Sequence, residues 1–213
     1  MTNPLIPFNF YEMDRRLILA SESPRRCELL KQMGLPFEVI PSRIQEDVIR
    51  GETPEEHVLR LCGEKALEVG KQYRDRWVTA ADTIVTIEGA ILGKPGDRDE
   101  AMEMLGRLSG KEHRVLTGFS VCHLEKGLEE RSAVETAVTM KLLSEEEMRW
   151  YVETGEPFDK AGAYAIQGIG SCMIESIRGS YTNVVGLPLC ELLRVLIRLG
   201  AITISELGIR IAK

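Results

Sequence analysis

Hydrophobic and polar positions alternate along the chain in blocks that predict helices interleaved with strands. Residues 16–20 form a short apolar run, after which Ser23 and Pro24 are typical of a helix N-cap and a first helical residue. The spacing of apolar residues that follows predicts a helix over 24–33, and the next apolar run predicts a strand over 37–41. These segments predict a β–α–β unit at the start of the fold.

The rest of the chain continues this alternation. Apolar residues at helical spacing, with capping signals before them, predict helices over residues 53–76, 97–109, 144–154 and 188–199. Strands are predicted over residues 77–92, with a turn at Glu88 and Gly89, and over 113–124 and 131–143. Residues 157–186 are rich in glycine among short β-like runs, which is typical of binding loops at the rim of a sheet. The pattern predicts an α/β protein with a mixed sheet.

A chain of 213 residues is long enough to form one compact domain. We expect that domain over 16–200, with an N-terminal extension over 1–15 and a C-terminal tail over 201–213. The tail has isoleucines at two-residue spacing, which fits either a last strand or pairing with another chain. The sequence contains no apolar stretch of the roughly 20 residues needed to span a bilayer, and residues 1–15 lack the features of a secretory signal. We therefore expect a cytoplasmic protein without a membrane segment.

Charge and cysteine content narrow the classes of function. The net charge is −6, with 27 basic and 33 acidic residues, which argues against stable nucleic-acid binding and makes any anion site local. The five cysteines form no CxxC pair, so we expect buried thiols in a reducing compartment. The three histidines lie in separate segments without metal-binding spacing, which argues against a histidine metal site.

The segment ASESPRR, residues 20–26, places hydroxyl and guanidinium groups at the start of a predicted helix. Unpaired N–H groups there attract anions, and Ser21 and Ser23 add hydroxyl donors. Arg25 and Arg26 add planar forks that match phosphate oxygens. These residues fit a phosphate cradle, although GxxxxGK[ST] is absent and a P-loop is therefore excluded. They fit equally well a capped helix with two surface arginines, and both interpretations stay open.

Two acidic positions and three lysines could complete such a site. Asp82 lies within a predicted strand, where a lone carboxylate is costly unless it is paired, binds a metal or begins a turn. Glu46 follows the second predicted strand and fits either a metal ligand or a solvated loop acid. Lys65, Lys94 and Lys160 can each neutralise phosphate charge. For Lys65 the simpler interpretation is a solvated position on a helix.

Several short motifs occur in a fixed order along the chain. They are ASxSPRR at 20–26, EKA at 64–66, AADT at 80–83, LGKP at 92–95, LSG at 108–110, GEPxDKAGAY at 155–164, IQG at 166–168 and GSYxNVVGLP at 179–188. In this order they resemble the Maf family of nucleoside triphosphate pyrophosphatases, from about Leu17 to Leu199. The resemblance implies an inosine triphosphatase-like α/β fold, a single domain of two lobes around a long mixed β-sheet with a central cleft.

The resemblance also implies an activity and its residues. The family cleaves a nucleoside triphosphate between the α and β phosphates with a divalent cation, Mg²⁺ or Mn²⁺, and its members often form homodimers. Asp82 matches the family's proton acceptor, and we expect it to be catalytic and, with Glu46, to be a metal ligand. The expected substrate-binding residues are Ser21, Ser23, Arg25, Arg26, Lys65, Thr83, Lys94, Lys160 and Gln167.

The motifs also suggest a substrate. AYxIQG combined with GSYxNVVGLP resembles the branch of the family that acts on dTTP and UTP, with modified pyrimidine nucleotides as further candidates. In that family Arg25, Thr83 and Gln167 match positions tied to base choice. The alternatives are another base specificity, such as 7-methyl-GTP, and a non-catalytic nucleotide-binding regulator of septation. Glu22 and Ala165 depart from the residues usual in the family, and the role of Glu22 stays open.

Overall fold

The computed structural model describes residues 17–47, 49–205 and 208–211, and a mixed sheet forms the centre of this described part. The strands are β1 (Leu17–Leu19), β2 (Phe37–Val39), β3 (Val78–Ile87), β4 (Ala90–Leu92), β5 (Glu112–His123), β6 (Leu128–Met140), β7 (Ile174–Arg178), β8 (Ile202–Ser205) and β9 (Gly208–Ile211). The helices are α1 (Pro24–Gln32), α2 (Pro54–Gln72), α3 (Arg98–Leu108), α4 (Glu145–Glu153), α5 (Tyr181–Val185) and α6 (Leu189–Arg198). The predicted extension over 1–15 lies outside the described residues.

The predicted α/β class and mixed sheet are confirmed. Within the described residues, seven strands form one sheet in the order β2–β1–β3–β5–β6–β7, with β4 also paired to β3. β1 runs parallel to β2 and to β3, as the predicted β–α–β unit requires. The pairs of β3 with β4, of β3 with β5, of β5 with β6 and of β6 with β7 are antiparallel.

One edge of β3 is only partly paired, and this opening positions the cleft. β5 pairs with β3 along Val78–Thr86 on one edge. On the other edge β1 pairs with residues 78 and 79, and β4 pairs with 85–87. The edge of residues 80–84 therefore has no strand partner among the described residues, and Asp82 and Thr83 lie in this opening.

Helix capping explains why the helices begin where the sequence predicts. The side chain of Ser23 accepts a hydrogen bond from the backbone N–H of Arg26 (3.4 Å) at the start of α1. Thr53 and Ser144 form capping boxes with the glutamates three residues later, at the start of α2 and α4. The predicted end of α2 near Arg76 is wrong, because residues 73–76 form the turn that returns the chain to β3.

The apolar core divides into two main clusters. One cluster surrounds β1, α1 and α6 and includes Leu19, Leu30 and Leu196. The other lies around α3 and α4 and includes Leu105 and Tyr151. Burial of these apolar faces is the main force that holds helices on a sheet.

Three other expectations need correction or completion. Residues 157–186, predicted to be glycine-rich loops with short β-like runs, contain 3₁₀ turns and α5, with the strand β7 between them. The expectation of buried thiols holds for Cys62 and Cys122. Cys27 is only half-buried, and the expectation is wrong for Cys172 and Cys190, which are exposed on a surface turn and on the outer face of α6. In the tail, β8 pairs with β9 as a separate antiparallel pair.

Candidate active site

A cleft of about 890 Å³ opens at the unpaired edge of β3. Its walls come from the start of α1, from β3 and β4, and from the glycine-rich segment that follows α4. Every site residue expected from the sequence lies on its lining: Ser21, Ser23, Arg25, Arg26, Glu46, Lys65, Asp82, Thr83, Lys94, Lys160 and Gln167. The fold therefore brings together residues that are far apart in the chain.

The guanidinium group of Arg26 is directed into the protein and joins three segments. Its Nε donates to the carbonyl oxygen of Gly186 (2.8 Å), and Nη1 donates to the hydroxyl of Ser21 (3.1 Å). Its Nη2 donates to the hydroxyl of Thr83 (3.1 Å), so the start of α1 is fixed against β3. Burial lowers the pKa of Arg26 from its ordinary value, but an arginine begins high enough to stay charged at neutral pH.

Arg25 points instead to the opposite wall of the cleft. Its guanidinium group donates to the carboxylate of Asp159 (2.9 Å) and to the carbonyl oxygen of the same residue (3.3 Å). Lys160 also pairs with the carboxylate of Asp159 and donates to the carbonyl oxygen of Glu156 (2.7 Å). Burial acts to raise the pKa of Asp159, but the hydrogen bonds from Lys160 and Arg25 hold it below its ordinary value. Asp159 thus neutralises two of the cations expected to bind phosphate.

Lys65 connects the two carboxylates expected to bind a metal. Its Nζ lies 2.7 Å from Oδ1 of Asp82 and 2.8 Å from a carboxylate oxygen of Glu46. Lys65 and Asp82 are buried, whereas the side chain of Glu46 is half exposed. The simpler interpretation of Lys65 as a solvated helix lysine is therefore wrong, because α2 packs this face against β3.

Lys94 and Gln167 line other parts of the cleft. Lys94 is exposed and has no ion pair with any described residue. Its loop is joined to the loop of Lys160, because the N–H of Gly162 donates to the carbonyl oxygen of Gly93 (2.9 Å). Gln167 is half-buried and stands at the start of a 3₁₀ turn, Gly168–Met173.

The carboxylates of Asp82 and Glu46 are the candidate ligands for a divalent cation in the cleft. In the ranges 17–47, 49–205 and 208–211, no group of three or more histidine, cysteine or acidic side chains is arranged to hold a metal ion. Asp82 and Glu46 nevertheless meet at Lys65, and Mg²⁺ is commonly held by one or two carboxylates together with substrate phosphates and water.

The structure adds residues to the site that the sequence did not single out. His57 is buried on the cleft lining, and its Nδ1 lies against the carboxylate of Glu52. Arg60 donates two hydrogen bonds to Glu52, which is the main reason that the pKa of Glu52 is lowered to about 2. Asp159 belongs to a quoted motif, but its pairing with Arg25 spans 134 positions and leaves no local signal.

Together these groups suit a polyanionic substrate. Arginine and lysine side chains surround the cleft, a buried carboxylate lies on its floor, and the amide of Gln167 is available on its lining. The cleft is within the usual size range of small-molecule sites. Such a site defines a protein that binds and transforms a phosphorylated small molecule.

Comparison with known proteins identifies the family. The family model described as Maf-like protein matches residues 16–199. This chain belongs to the Maf family.

Individual relatives are similar over most of their length. A dTTP/UTP pyrophosphatase of Syntrophus aciditrophicus is 51% identical over 193 residues, which cover 91% of this chain and 94% of the relative. A dTTP/UTP pyrophosphatase of Syntrophotalea carbinolica is 51% identical over 191 residues, covering 89% and 87% respectively. Among solved structures, the Staphylococcus aureus Ham1 protein covers 86% of this chain and 98% of its own, with 12% identity and a TM-score of 0.46.

A membrane-spanning helix is not found in the described part of the chain, where every helix is too short or too polar.

Proposed function

We propose that this chain hydrolyses dTTP and UTP to the nucleoside monophosphate and pyrophosphate. Relatives named dTTP/UTP pyrophosphatase that are about half identical over most of the chain support this proposal. The observation that carries it is the buried pair of Asp82 and Lys65 on the cleft floor, beside the guanidinium groups at the start of α1. A carboxylate on the cleft floor can activate an attacking water by taking its proton.

Cations on the cleft lining give the triphosphate its binding energy. Lys94 is exposed, and Arg25 and Lys160 share one carboxylate, that of Asp159, which phosphate oxygens can replace. Attack on the α phosphorus builds negative charge on the phosphate oxygens, and fixed cations stabilise that charge. Arg26 acts mainly by fixing the start of α1, since each of its three guanidinium nitrogens already donates to a partner within the protein.

Asp82 is proposed as the proton acceptor. Lys65 occupies its Oδ1, so Oδ2 is the oxygen that receives the proton from the attacking water. In the alternative role that we propose, Asp82 and Glu46 hold a divalent cation, Mg²⁺ or Mn²⁺, together with the substrate, and Asp82 does not itself take the proton. When bound, such an ion neutralises phosphate charge and lowers the pKa of a bound water.

Base choice is proposed to depend on Gln167. Its side-chain amide has both a donor and an acceptor, and these complement the edge of uracil or thymine. A base with the wrong edge leaves polar groups unpaired, which costs about 1–3 kcal/mol for each group. A cytoplasmic location and a homodimer stay predictions from the sequence.

Pyrophosphate release over a nucleotide panel tests the proposal. The panel contains dTTP, UTP, dCTP, dATP and 7-methyl-GTP, each with and without Mg²⁺, for the wild type and for Asp82→Asn. We expect dTTP and UTP to be preferred, Mg²⁺ to be required, and Asp82→Asn to lower kcat by at least about a hundredfold. Preference for 7-methyl-GTP would indicate a different specificity, and nucleotide binding without any hydrolysis would indicate a non-catalytic regulator.

A further inference from the structure

Hydrogen bonds join the segment 165–170, which contains Gln167, to Tyr151 of α4 and to Glu156, which follows α4. The carboxylate of Glu156 accepts hydrogen bonds from the backbone N–H groups of Ile169 (3.0 Å) and Gly170 (2.9 Å). It also accepts one from the hydroxyl of Tyr151 (2.9 Å), whose oxygen in turn accepts one from the N–H of Ala165 (3.2 Å). Gln167 therefore lies between two anchored positions, one before it and one after it.

The anchor itself is rigid and charged. Tyr151 is fully buried in the cluster around α3 and α4. Burial acts to raise the pKa of Glu156, but the N–H groups of Gly170 and Ile169 and the hydroxyl of Tyr151 hold it below its ordinary value. Glu156 is thus ionised at neutral pH, and hydrogen bonds to a charged acceptor are stronger than neutral ones.

The turn after Gln167 fits closely over this carboxylate. Gly168 has φ +68°, and a Cβ built there would lie 2.6 Å from Oε2 of Glu156. A side chain at this position would therefore be strained and would push the carboxylate away from Ile169 and Gly170. The absence of a side chain at Gly168 therefore lets the residue after Gln167 pack directly against the carboxylate of Glu156.

We propose that Glu156 is a positioning residue for base selection, acting through the segment Ala165–Gly170 to hold the amide of Gln167 at the base. This inference rests on the proposed function, and it adds a specificity determinant that does not touch the substrate. Glu156 lies outside the set expected to bind phosphate, metal or base.

Glu156→Gln is the test variant because it keeps the size of the side chain. An amide offers one accepting oxygen in place of two, and its NH₂ group would face a backbone N–H. The segment then loses one of its anchors. We expect the ratio of kcat/KM for dTTP to that for dCTP to fall roughly tenfold, with KM for dTTP raised and kcat nearly unchanged.

Glu153→Gln is the matched control. Glu153 is a glutamate of the same region, but it is exposed and pairs with Arg98 at the surface. Its neutralisation changes net charge equally and leaves the segment 165–170 intact. We expect its substrate ratio and KM to equal those of the wild type.

A double-mutant cycle separates positioning from general damage. If Glu156 acts only by holding Gln167, then Glu156→Gln changes the dTTP to dCTP ratio in the wild type but not in a Gln167→Ala background. A loss of the same size in both backgrounds would overturn the inference, as would an unchanged ratio in Glu156→Gln alone.

Hydrogen exchange gives a readout that does not depend on activity. We expect the amides of Ile169 and Gly170 to exchange at least about tenfold faster in Glu156→Gln than in the wild type or in Glu153→Gln. Unchanged exchange would overturn the inference whatever the kinetics show. Absence of dTTP and UTP hydrolysis in the wild type, by contrast, would reject the proposed function, while faster exchange in the variant would still show the anchoring role.

Discussion

The ammonium nitrogen of Lys65 lies 2.7 Å from Oδ1 of Asp82, and both side chains are buried. One residue comes from the middle of α2 and the other from β3, so the ion pair joins a helix to the strand beneath it. A buried charge that loses its partner is far more costly than a buried pair. Stability and activity are therefore coupled at this point of the cleft.

Lys65→Met tests this coupling. The substitution leaves the Asp82 carboxylate without its buried partner, so we expect the free energy of unfolding to fall by about 3–5 kcal/mol. We expect kcat/KM to fall by at least about a hundredfold, since the floor of the cleft loses its cation. Urea unfolding and pyrophosphate release measure the two effects.

The double variant Lys65→Met, Asp82→Asn provides the control. Once the unpaired charge is removed, most of the lost stability should return while the activity stays low. If the double variant were no more stable than Lys65→Met, the buried ion pair would not be the source of the effect.

Adjacent arginines of α1 should respond differently to the same substitution. Arg26 donates to Gly186, Ser21 and Thr83, and a lysine cannot reproduce that fork. We expect Arg26→Lys to destabilise the protein by about 1–3 kcal/mol.

Arg25→Lys is the matched control at the neighbouring position. Arg25 pairs with Asp159, whose side chain is largely exposed, and such pairs contribute less than about 1 kcal/mol. Thermal unfolding of both variants gives the comparison. Equal destabilisation of the two would contradict the distinct roles of these residues.

Local signals explain what the sequence could predict. Ser23, Thr53 and Ser144 are helix caps whose chemistry acts within three residues, and the structure has helices beginning just after each of them. The hairpin turn at Glu88 and Gly89 is likewise a local property, and β3 and β4 meet there. The motifs shared with the Maf family name residues that are far apart in the chain, and all of these residues line one cleft.

The sequence could not predict the contacts that form between segments far apart in the chain. One partner of Arg26 is the backbone carbonyl of Gly186, and a backbone carbonyl is present at every position, so the sequence does not reveal it. The pairing of Arg25 with Asp159 spans 134 positions of the chain, so no local spacing points to it. In both cases tertiary packing, rather than local preference, chooses the partner.

Close packing of α2 against β5 and β6 predicts different effects for two glycines. A Cβ at Gly118 would lie 2.4 Å from the backbone oxygen of Val58, which cannot move without shifting the helix. We therefore expect Gly118→Ala to destabilise the protein by about 1–3 kcal/mol. Thermal unfolding measures the change.

Gly63→Ala is the companion variant. The nearest atoms to a Cβ there belong to the end of the Arg131 side chain, at 2.1 Å, and this partly exposed, flexible end can move away by giving up its surface ion pair with Glu129. Alanine also favours the interior of a helix by about 1 kcal/mol over glycine. We expect Gly63→Ala to be neutral or stabilising, and a loss as large as that of Gly118→Ala would refute this account of the packing.

Buried His113 predicts a loss of stability in mild acid. Its Nε2 lies 2.7 Å from the hydroxyl of Tyr164, and burial lowers its pKa from 6.5 to about 4. The unfolded chain therefore takes up a proton below pH 6.5, whereas the folded protein does so only near pH 4. The free energy of unfolding therefore keeps its full value above pH 6.5 and falls between pH 6.5 and 4, with a slope of at most about 1.4 kcal/mol per pH unit from His113.

Urea unfolding at pH 7, 6 and 5 tests this prediction. The free energy of unfolding should fall more steeply with decreasing pH for the wild type than for His113→Gln, because the variant lacks this proton uptake. Parallel declines would mean that His113 does not resist protonation in the folded state.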